Sequence, residues 1–312
     1  MRNVTLRQLR AVQAIHETGK IIKAANKLGL TGPAVTLQLQ QLEEELGVTL
    51  FDRLTEGLRP TAAGHAVIDA AEAIDERLNI LHDEVGAIAQ GRRGTLRLGV
   101  VSTAKYFAPR LMAAFGRQFP DIDLQLHVGN REDIIGFLAG HRLDIALMGR
   151  PPKDLPVESL IFGDHPLVII ASADHPLARR RDITKEEVAK EHFLVREPGS
   201  GTRISLEIFF SSVPGKLENL GAEMASNETI KQAVMAGMGI AFLSAHTVEM
   251  ELELGRLVIL DVIGMPIRRD WHSVWRSDRV FTPAMAVFNT FLRGEGARYL
   301  PLISKTYPSS GF

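Results

Sequence analysis

The stretch Ala24–Gly47, AANKLGLTGPAVTLQLQQLEEELG, has the rhythm of two helices joined by a tight turn. Ile21, Ala24, Ala25 and Leu28 trace an apolar stripe at helical spacing. Gly29 supplies a left-handed residue to end that helix, Thr31 is placed to cap the next one, and Pro33 is tolerated in its first turn. In the second helix Val35, Leu39, Leu42 and Leu46 share one face. Pro33, Leu37, Gln40 and Glu44 point the other way, flanked by Thr36 and Gln41, and Gly47 stops the helix. This is the pattern of a helix-turn-helix whose second helix reads DNA, yet no Lys or Arg occurs between Lys27 and Arg53.

Working outward, Leu6, Leu9, Val12 and Ile15 predict a preceding helix, and LFDRLTEGLRPT, Leu50–Thr61, predicts a β-wing. Residues 61–90 then read as one long helix. Within it Val67, Ala71, Ile74, Leu78, Leu81, Val85 and Ile88 alternate steps of four and three, the seam of a dimerising coiled coil. An amphipathic helix packed on its own domain is the alternative. QGRRG, Gln90–Gly94, breaks the helix as a hinge. From Thr95 on, strand patterns (TLRLGVV, IDLQLHV, DIALMG, PLVIIAS, HFLVR, GIAFLS, LVILDV, SVWR) alternate with helical ones, which predicts parallel sheets covered on both faces in two small α/β lobes. The expected organisation is a DNA-binding head over 1–60, a linker helix over 61–90 and an effector domain over 91–302. Lobe I takes 95–162 plus 267–302, lobe II takes 163–266, and a loose tail covers 303–312.

Composition narrows the class. With 36 basic and 37 acidic residues the net charge is -1, so nucleic acid is not drawn by a global field, and any DNA contact must come from local patches. Cysteine is absent, which removes disulfides and thiolate chemistry and suits a reducing compartment. The ten histidines show no metal-ligand spacing. No apolar run approaches the roughly 18 residues of a membrane helix, and MRNVTLRQLR lacks the apolar core of a signal peptide, so no membrane partner and a cytoplasmic location are expected.

Base reading and phosphate binding need not use the same residues. Thr36 can meet a thymine methyl, Gln40 and Gln41 can bond adenine N6 and N7, and Leu37 can contact a methyl group. Phosphates can be held by the N–H groups that open the helix around Thr31, Gly32 and Pro33. Arg53 and Arg59 of the wing, with Arg2, Arg7, Arg10, Lys20, Lys23 and Lys27, supply cations. Residues 1–60 carry eight basic against six acidic residues, a net of +2 and a weak footprint.

The run AANKLGLTGPAVTLQLQQLEEELGVTLFDR, closed by Thr61-x-Ala63-Gly64, resembles the winged helix-turn-helix of LysR-type transcriptional regulators, and the similarity extends through linker and effector domain over nearly the whole chain. The resemblance implies a two-lobed effector domain like the periplasmic binding proteins, a dimer of dimers on operator DNA, and an effect on RNA polymerase. The chain departs from the family's usual pattern at Gly32, Leu37 and Glu56, where Gln, Arg and Arg are common. Each departure removes a polar or cationic contact, so affinity is expected to come from joining several heads. REPGSGTR and MASNETIKQAVMAGMGIAFLSAHTVEMELELGRL look most like the branch controlling Calvin-cycle carbon-fixation operons, which responds to metabolites such as NADPH or ribulose bisphosphate.

Three helix starts rich in hydroxyls and amides are candidates for an anionic effector: Ser102 and Thr103, then the REPGSGTR loop with Glu197, Ser200 and Thr202, then Ser226, Asn227 and Thr229. Ordinary capping is the alternative for each. Asn130 with Lys105, Arg131, Arg150 and Arg203 complete the candidate effector set. Enzymatic readings lack support. PGSG has no following Lys-Ser/Thr, Gly237-Met238-Gly239 has no third Gly in dinucleotide spacing, no G-x-S-x-G occurs, and His82, Asp83 and Glu84 cannot face one site from a helix. The remaining alternatives are a LysR-type regulator of another operon, or a solute-receptor-like protein, which would leave the first 90 residues without a purpose.

Overall fold

The computed structural model describes residues 4–54, 57–90 (side chains through 86), 93–213 and 221–302. Arg2, Glu56, the side chain of Ile88 and the tail 303–312 lie outside the described residues. The chain divides into two compact units, the first taking the chain up to His82 together with Gly140–Arg142 and the second the remainder.

The first unit holds α1 (Leu6–Thr18), α2 (Ile21–Leu28), α3 (Gly32–Leu46), the wing strands β1 (Phe51–Leu54) and β2 (Gly57–Pro60), and the start of α4 (Ala62–Gln90). Glycines in the left-handed region end all three short helices: Gly19, Gly29 and Gly47. Val12, Ile15, Ala24, Val35, Leu42 and Leu50 form the core. The wing is pinned where Leu58 N–H donates to Gly19 O at 2.9 Å, and a Cβ on Gly57 would lie 2.5 Å from that same oxygen, so only glycine allows the approach. Thr61 closes the wing by donating to Thr49 O and accepting from Gly64 N–H. Of the seam positions, Ala71 is buried and Val67 packs partly into this head core. The exposed stripe begins only at Ile74 and continues through half-buried Leu78 to Leu81 and Val85, which are 52% and 55% exposed. The start of the long helix therefore also serves the head, as the packing alternative allows.

The second unit contains, in chain order, β3 (Gly94–Val101), α5 (Ala108–Gln118), β4 (Ile122–Gly129), α6 (Arg131–Ala139), β5 (Ile145–Met148), β6 (Val157–Ser172), α7 (Lys185–Val188), β7 (Phe193–Arg196) and α8 (Gly201–Phe210). It continues with β8 (Ala222–Met224), α9 (Asn227–Met235), β9 (Ile240–Ser244), α10 (Glu249–Glu253), β10 (Leu257–Ile259), β11 (Ile267–Arg276) and α11 (Pro283–Glu295). The strand order is β4-β3-β5-β11-β6-β9-β7-β8, with β10 on β6. β4, β3 and β5 are parallel at one end, and β9, β7 and β8 at the other.

The expectation of purely parallel sheets is corrected at the centre: β6 and β11 run antiparallel to each other and to β9 and β5 respectively. PLVIIAS and SVWR are the far ends of strands of 16 and 10 residues. Their other halves, VESLIFGD and IRRDW, carry charges that interrupt the apolar signal, and Gly163 and Pro166 resemble a turn. These two strands carry the chain between lobes. Phe162 and Trp271 belong to the core under α5 and α11, while Leu167 lies in the core under α8 with Ile267 packed against it, so the crossings fall at 163–166 and 268–270. Along β6, Leu167, Ile169 and Ala171 fill one core and Val168 and Ile170 another, which is why this half reads as an unbroken apolar run.

Candidate DNA-reading face and effector cavity

On α3 the burial of Val35, Leu39 and Leu42 turns Pro33, Leu37, Gln40, Gln41 and Glu44 to solvent. Leu37 is 51% exposed, a cost in water that a groove lined by base methyl groups would offset. Thr36 is half-buried and donates its hydroxyl to Gly32 O at 3.1 Å, as a helical threonine commonly does. Thr31 holds the N-cap position with extended backbone, but its side chain makes no capping hydrogen bond. Lys23, Arg53 and Arg59 are exposed around this face, and Arg59 stands opposite Asp52 in the wing register. Lys27 is tied to Glu17, and Arg10 lies 3.6 Å from Asp75. Among the described residues, then, the exposed cations of the head lie on neighbouring elements and none lies on α3.

In the second unit a cavity of about 260 Å³ opens where the two lobes meet, beside the carboxyl ends of β3 and β5 and the start of α8. Ser102, Thr103, Ser200, Thr202 and Ser205 bring hydroxyls to it. Arg131, Arg150, Lys153 and Arg269 bring positive charge, against the single carboxylate of Asp154. Arg131 opens α6 and is held by the carbonyls of Arg150 and Pro151. Burial, then the charge of Arg150, lowers its pKa, so an anion would relieve this crowding of cations. Gly199 has φ +82°, and a Cβ there would sit 2.5 Å from Glu132 Oε2, so glycine lets the PGSG loop of one lobe seat against α6 of the other.

The sequence-predicted residues divide between the cavity and its supports. Ser102, Thr103, Arg131, Arg150, Ser200 and Thr202 line the cavity, while Lys105, Asn130, Glu197, Arg203, Asn227 and Thr229 are absent from its lining. Asn130 caps α6, exchanging hydrogen bonds with Asp133. Glu197 and Asn227 serve buried Arg196, which forms a two-bond ion pair with Glu197, donates to Asn227 Oδ1, and reaches across to Ser102 Oγ at 3.1 Å. Arg203 turns to Glu207, Glu223 and Arg196 O, and its hydrogen bond to Glu207 first of all raises its pKa. Lys105 lies 5.2 Å from the Tyr106 ring, and Thr229 is exposed.

A second bridge between the lobes joins the Tyr106 hydroxyl to Glu228, whose carboxylate pairs with buried Lys231; Lys231 also pairs with Glu251. Burial, then the Glu228 bond, raises the pKa of Tyr106. Sequence reasoning missed Lys153, Asp154, Arg196, Ser205, His165 and Arg269. Lys153 and Asp154 could have been found as polar residues in the Pro-rich loop after a strand. His165 and Arg269 sit inside strands, where periodicity reports only a sheet.

A winged helix-turn-helix followed by two α/β lobes around a cation-lined cavity defines a DNA-binding regulator with a ligand-binding domain. Residues 6–65 match the family model described as bacterial regulatory helix-turn-helix protein, lysR family, and residues 89–297 match the LysR substrate binding domain. The chain belongs to the LysR family. It is 61% identical, over the full length of both chains, to the HTH-type transcriptional regulator CbbR of Sinorhizobium medicae. It is 44% identical to the RuBisCO operon transcriptional regulator of Allochromatium vinosum, covering 95% of this chain and 98% of that one.

Among solved structures, the Synechocystis CcmR regulatory domain in complex with 2-PG is 36% identical with a TM-score of 0.60, covering 65% of this chain and 97% of that one. Full-length CbnR complexed with its target DNA has a TM-score of 0.68 at 20% identity, covering 93% and 99% of the two chains, and shares the fold. The chain is thus a transcriptional regulator and not an enzyme.

Proposed function

We propose that this regulator controls carbon-fixation genes, reading operator DNA with α3 and responding to a small anionic metabolite held between its lobes. The observation that carries the reading is identity of 61% across both DNA head and effector domain to a regulator named CbbR, a likeness that neither domain could supply alone. Thr36, Leu37, Gln40 and Gln41 would read base edges, with Thr31, Gly32, Pro33, Lys23, Arg53 and Arg59 on phosphates. The exposed stripe of α4 at Ile74, Leu78, Leu81 and Val85 would join two copies, and pairs of dimers would span two-fold related half-sites. Such a protein works in the cytoplasm beside RNA polymerase. No described helix is long and apolar enough to cross a membrane.

Four cations and five hydroxyls against one carboxylate favour a phosphorylated or dicarboxylate effector, and 2-PG in the CcmR domain is such a precedent. At about 260 Å³ the cavity falls below the roughly 300–1,000 Å³ typical of drug-sized ligands, which favours ribulose bisphosphate or a smaller anion over NADPH. The effector acts by binding one closure of the lobes better than another, which alters DNA bending. Sequencing the DNA that co-purifies with the full chain tests the first half: fragments upstream of carbon-fixation genes are expected, and enrichment of other operons alone would refute it. Thermal stabilisation of the full chain by 2-PG, ribulose bisphosphate and NADPH tests the second; no saturable shift with any of them would refute it.

A further inference from the structure

We propose that His165 hydrogen-bonds the anionic effector in its protonated form, so that each effector bound draws a proton onto this ring. The inference rests on the reading of the cavity as the effector site. His165 lies on β6 where the chain crosses between lobes, directly opposite Arg269 of β11, so both side chains stand on one face. The ring stacks on Trp271 with centroids 3.9 Å apart and planes 18° apart. It lines the cavity and is only 7% exposed, and neither of its nitrogens has a hydrogen-bond partner among the described residues. A Cβ on Gly149 would lie 2.5 Å from His165 Nδ1, so a glycine in the cavity wall makes room for the polar edge of the ring.

A buried imidazole with both nitrogens unpartnered costs stability that an apolar side chain of similar size would not. Packing therefore does not explain it, whereas a ligand oxygen at the cavity wall does. The charged and titratable groups around the ring are basic side chains, four of them cationic and two of them neutral histidines, with a single carboxylate in the cavity. His246 faces it with centroids 6.2 Å apart, Arg269 and His272 lie on β11, and Arg131, Arg150 and Lys153 share the cavity with Asp154. Asp164 and Asp270 pair with each other one residue further along their strands and so point to the opposite face. Burial first, then His246, Arg269 and His272, hold His165 well below the ordinary histidine value, so it is neutral in the free protein.

An anion reverses that balance by neutralising the surrounding cations, and the face of Trp271 then supports the charge on the imidazolium. His246 is fixed in another role, accepting the Trp271 indole N–H at 3.0 Å, and remains neutral with a pKa of about 4. The sign follows from linkage. A pKa low in the free form and raised in the bound form means proton uptake on binding. Affinity therefore rises as pH falls between the two values, by at most about tenfold per pH unit for one proton.

Calorimetry on the full chain with sodium sulfate, whose charge does not titrate here, and with 2-PG would test this at about pH 6 and about pH 8, in buffers of different ionisation enthalpy. Wild type should bind sulfate several-fold tighter at the lower pH and, with either anion, take up more protons than His165→Asn, which keeps a neutral donor. That variant should still bind, with the extra pH dependence gone. Equal proton uptake in the two proteins would overturn the role of His165 while leaving the effector cavity intact. Binding of no anion by either protein would overturn the effector reading itself, and this proposal with it. Should His165→Asn not fold, an NMR titration of the wild-type imidazoles decides: sulfate must raise the pKa of His165, and an unmoved value overturns the proposal.

Discussion

Helix α3 presents Leu37, Gln40 and Gln41 without one cation along its length, while Arg131, Arg150, Lys153 and Arg269 line a cavity of about 260 Å³. On the proposed reading both regions take negatively charged ligands, but the ligands differ in size. DNA is long enough to be read at one place and gripped at another, so on the proposed reading specificity would sit on amides and a leucine while charge is left to the wing and α2. A small metabolite offers no such separation. Every group that recognises it must converge on the same few ångströms, and the cations must be held apart by backbone carbonyls and a neutral aromatic floor. The proposed head would therefore be weak by itself and depend on repetition, whereas the proposed cavity site depends on convergence.

The sharpest way to break the comparison is to remove the repetition. Ile74→Lys combined with Leu81→Lys, both exposed on α4, should separate the copies and weaken operator binding by about 10²–10⁴-fold in a gel-shift assay. Circular dichroism should stay native; unchanged DNA affinity would show that one head grips adequately alone.

The next largest effect concerns the neutral floor. His246 is held at a pKa of about 4 by burial, against an ordinary 6.5. The unfolded chain binds the proton first, so stability is full above about pH 6.5 and is lost as pH falls toward 4, by about 3 kcal/mol at the limit. Both tryptophans, Trp271 and Trp275, lie in the effector unit, so their fluorescence in urea follows that unit. His246→Gln should reduce the wild-type slope between these pH values without abolishing it, since burial also lowers the pKa of His165 and His272, and an unchanged slope would assign it to those other groups.

Smaller effects separate reading from gripping within the head. Gln40→Ala should cost about 1–3 kcal/mol on the preferred operator and relax selection at one base pair, measured by binding to a substituted operator library. Arg59→Ala should weaken binding to all sequences alike and reduce the salt slope by about one. If Arg59→Ala changed base preference, or Gln40→Ala left it alone, the division of labour would fail.

The head was legible almost residue by residue, because its helices, capping glycines and wing are local and each leaves a periodicity or a turn signal. In the effector domain the strand-following Ser102 and Thr103 and the PGSG loop were found by the same logic. Position near a helix start did not decide role: Asn130 caps α6, and Glu197 and Asn227 serve Arg196. Local sequence reports that a polar group is available but not which neighbour uses it. The coiled-coil spacing likewise ran on through Val67 and Ala71, which also face the head core.

By itself the sequence determined the helix-turn-helix, the long helix, the alternation of strands and helices, and the family, since each rests on neighbours within a few turns of chain. The tertiary structure alone decided that β6 and β11 cross antiparallel between lobes and that Trp271 stacks on His165 beneath the cavity. It also brought Lys153 and Arg269 to Arg131. Most of those pairings join residues about a hundred or more positions apart, and their energies depend on distance in space, which no spacing along the chain encodes.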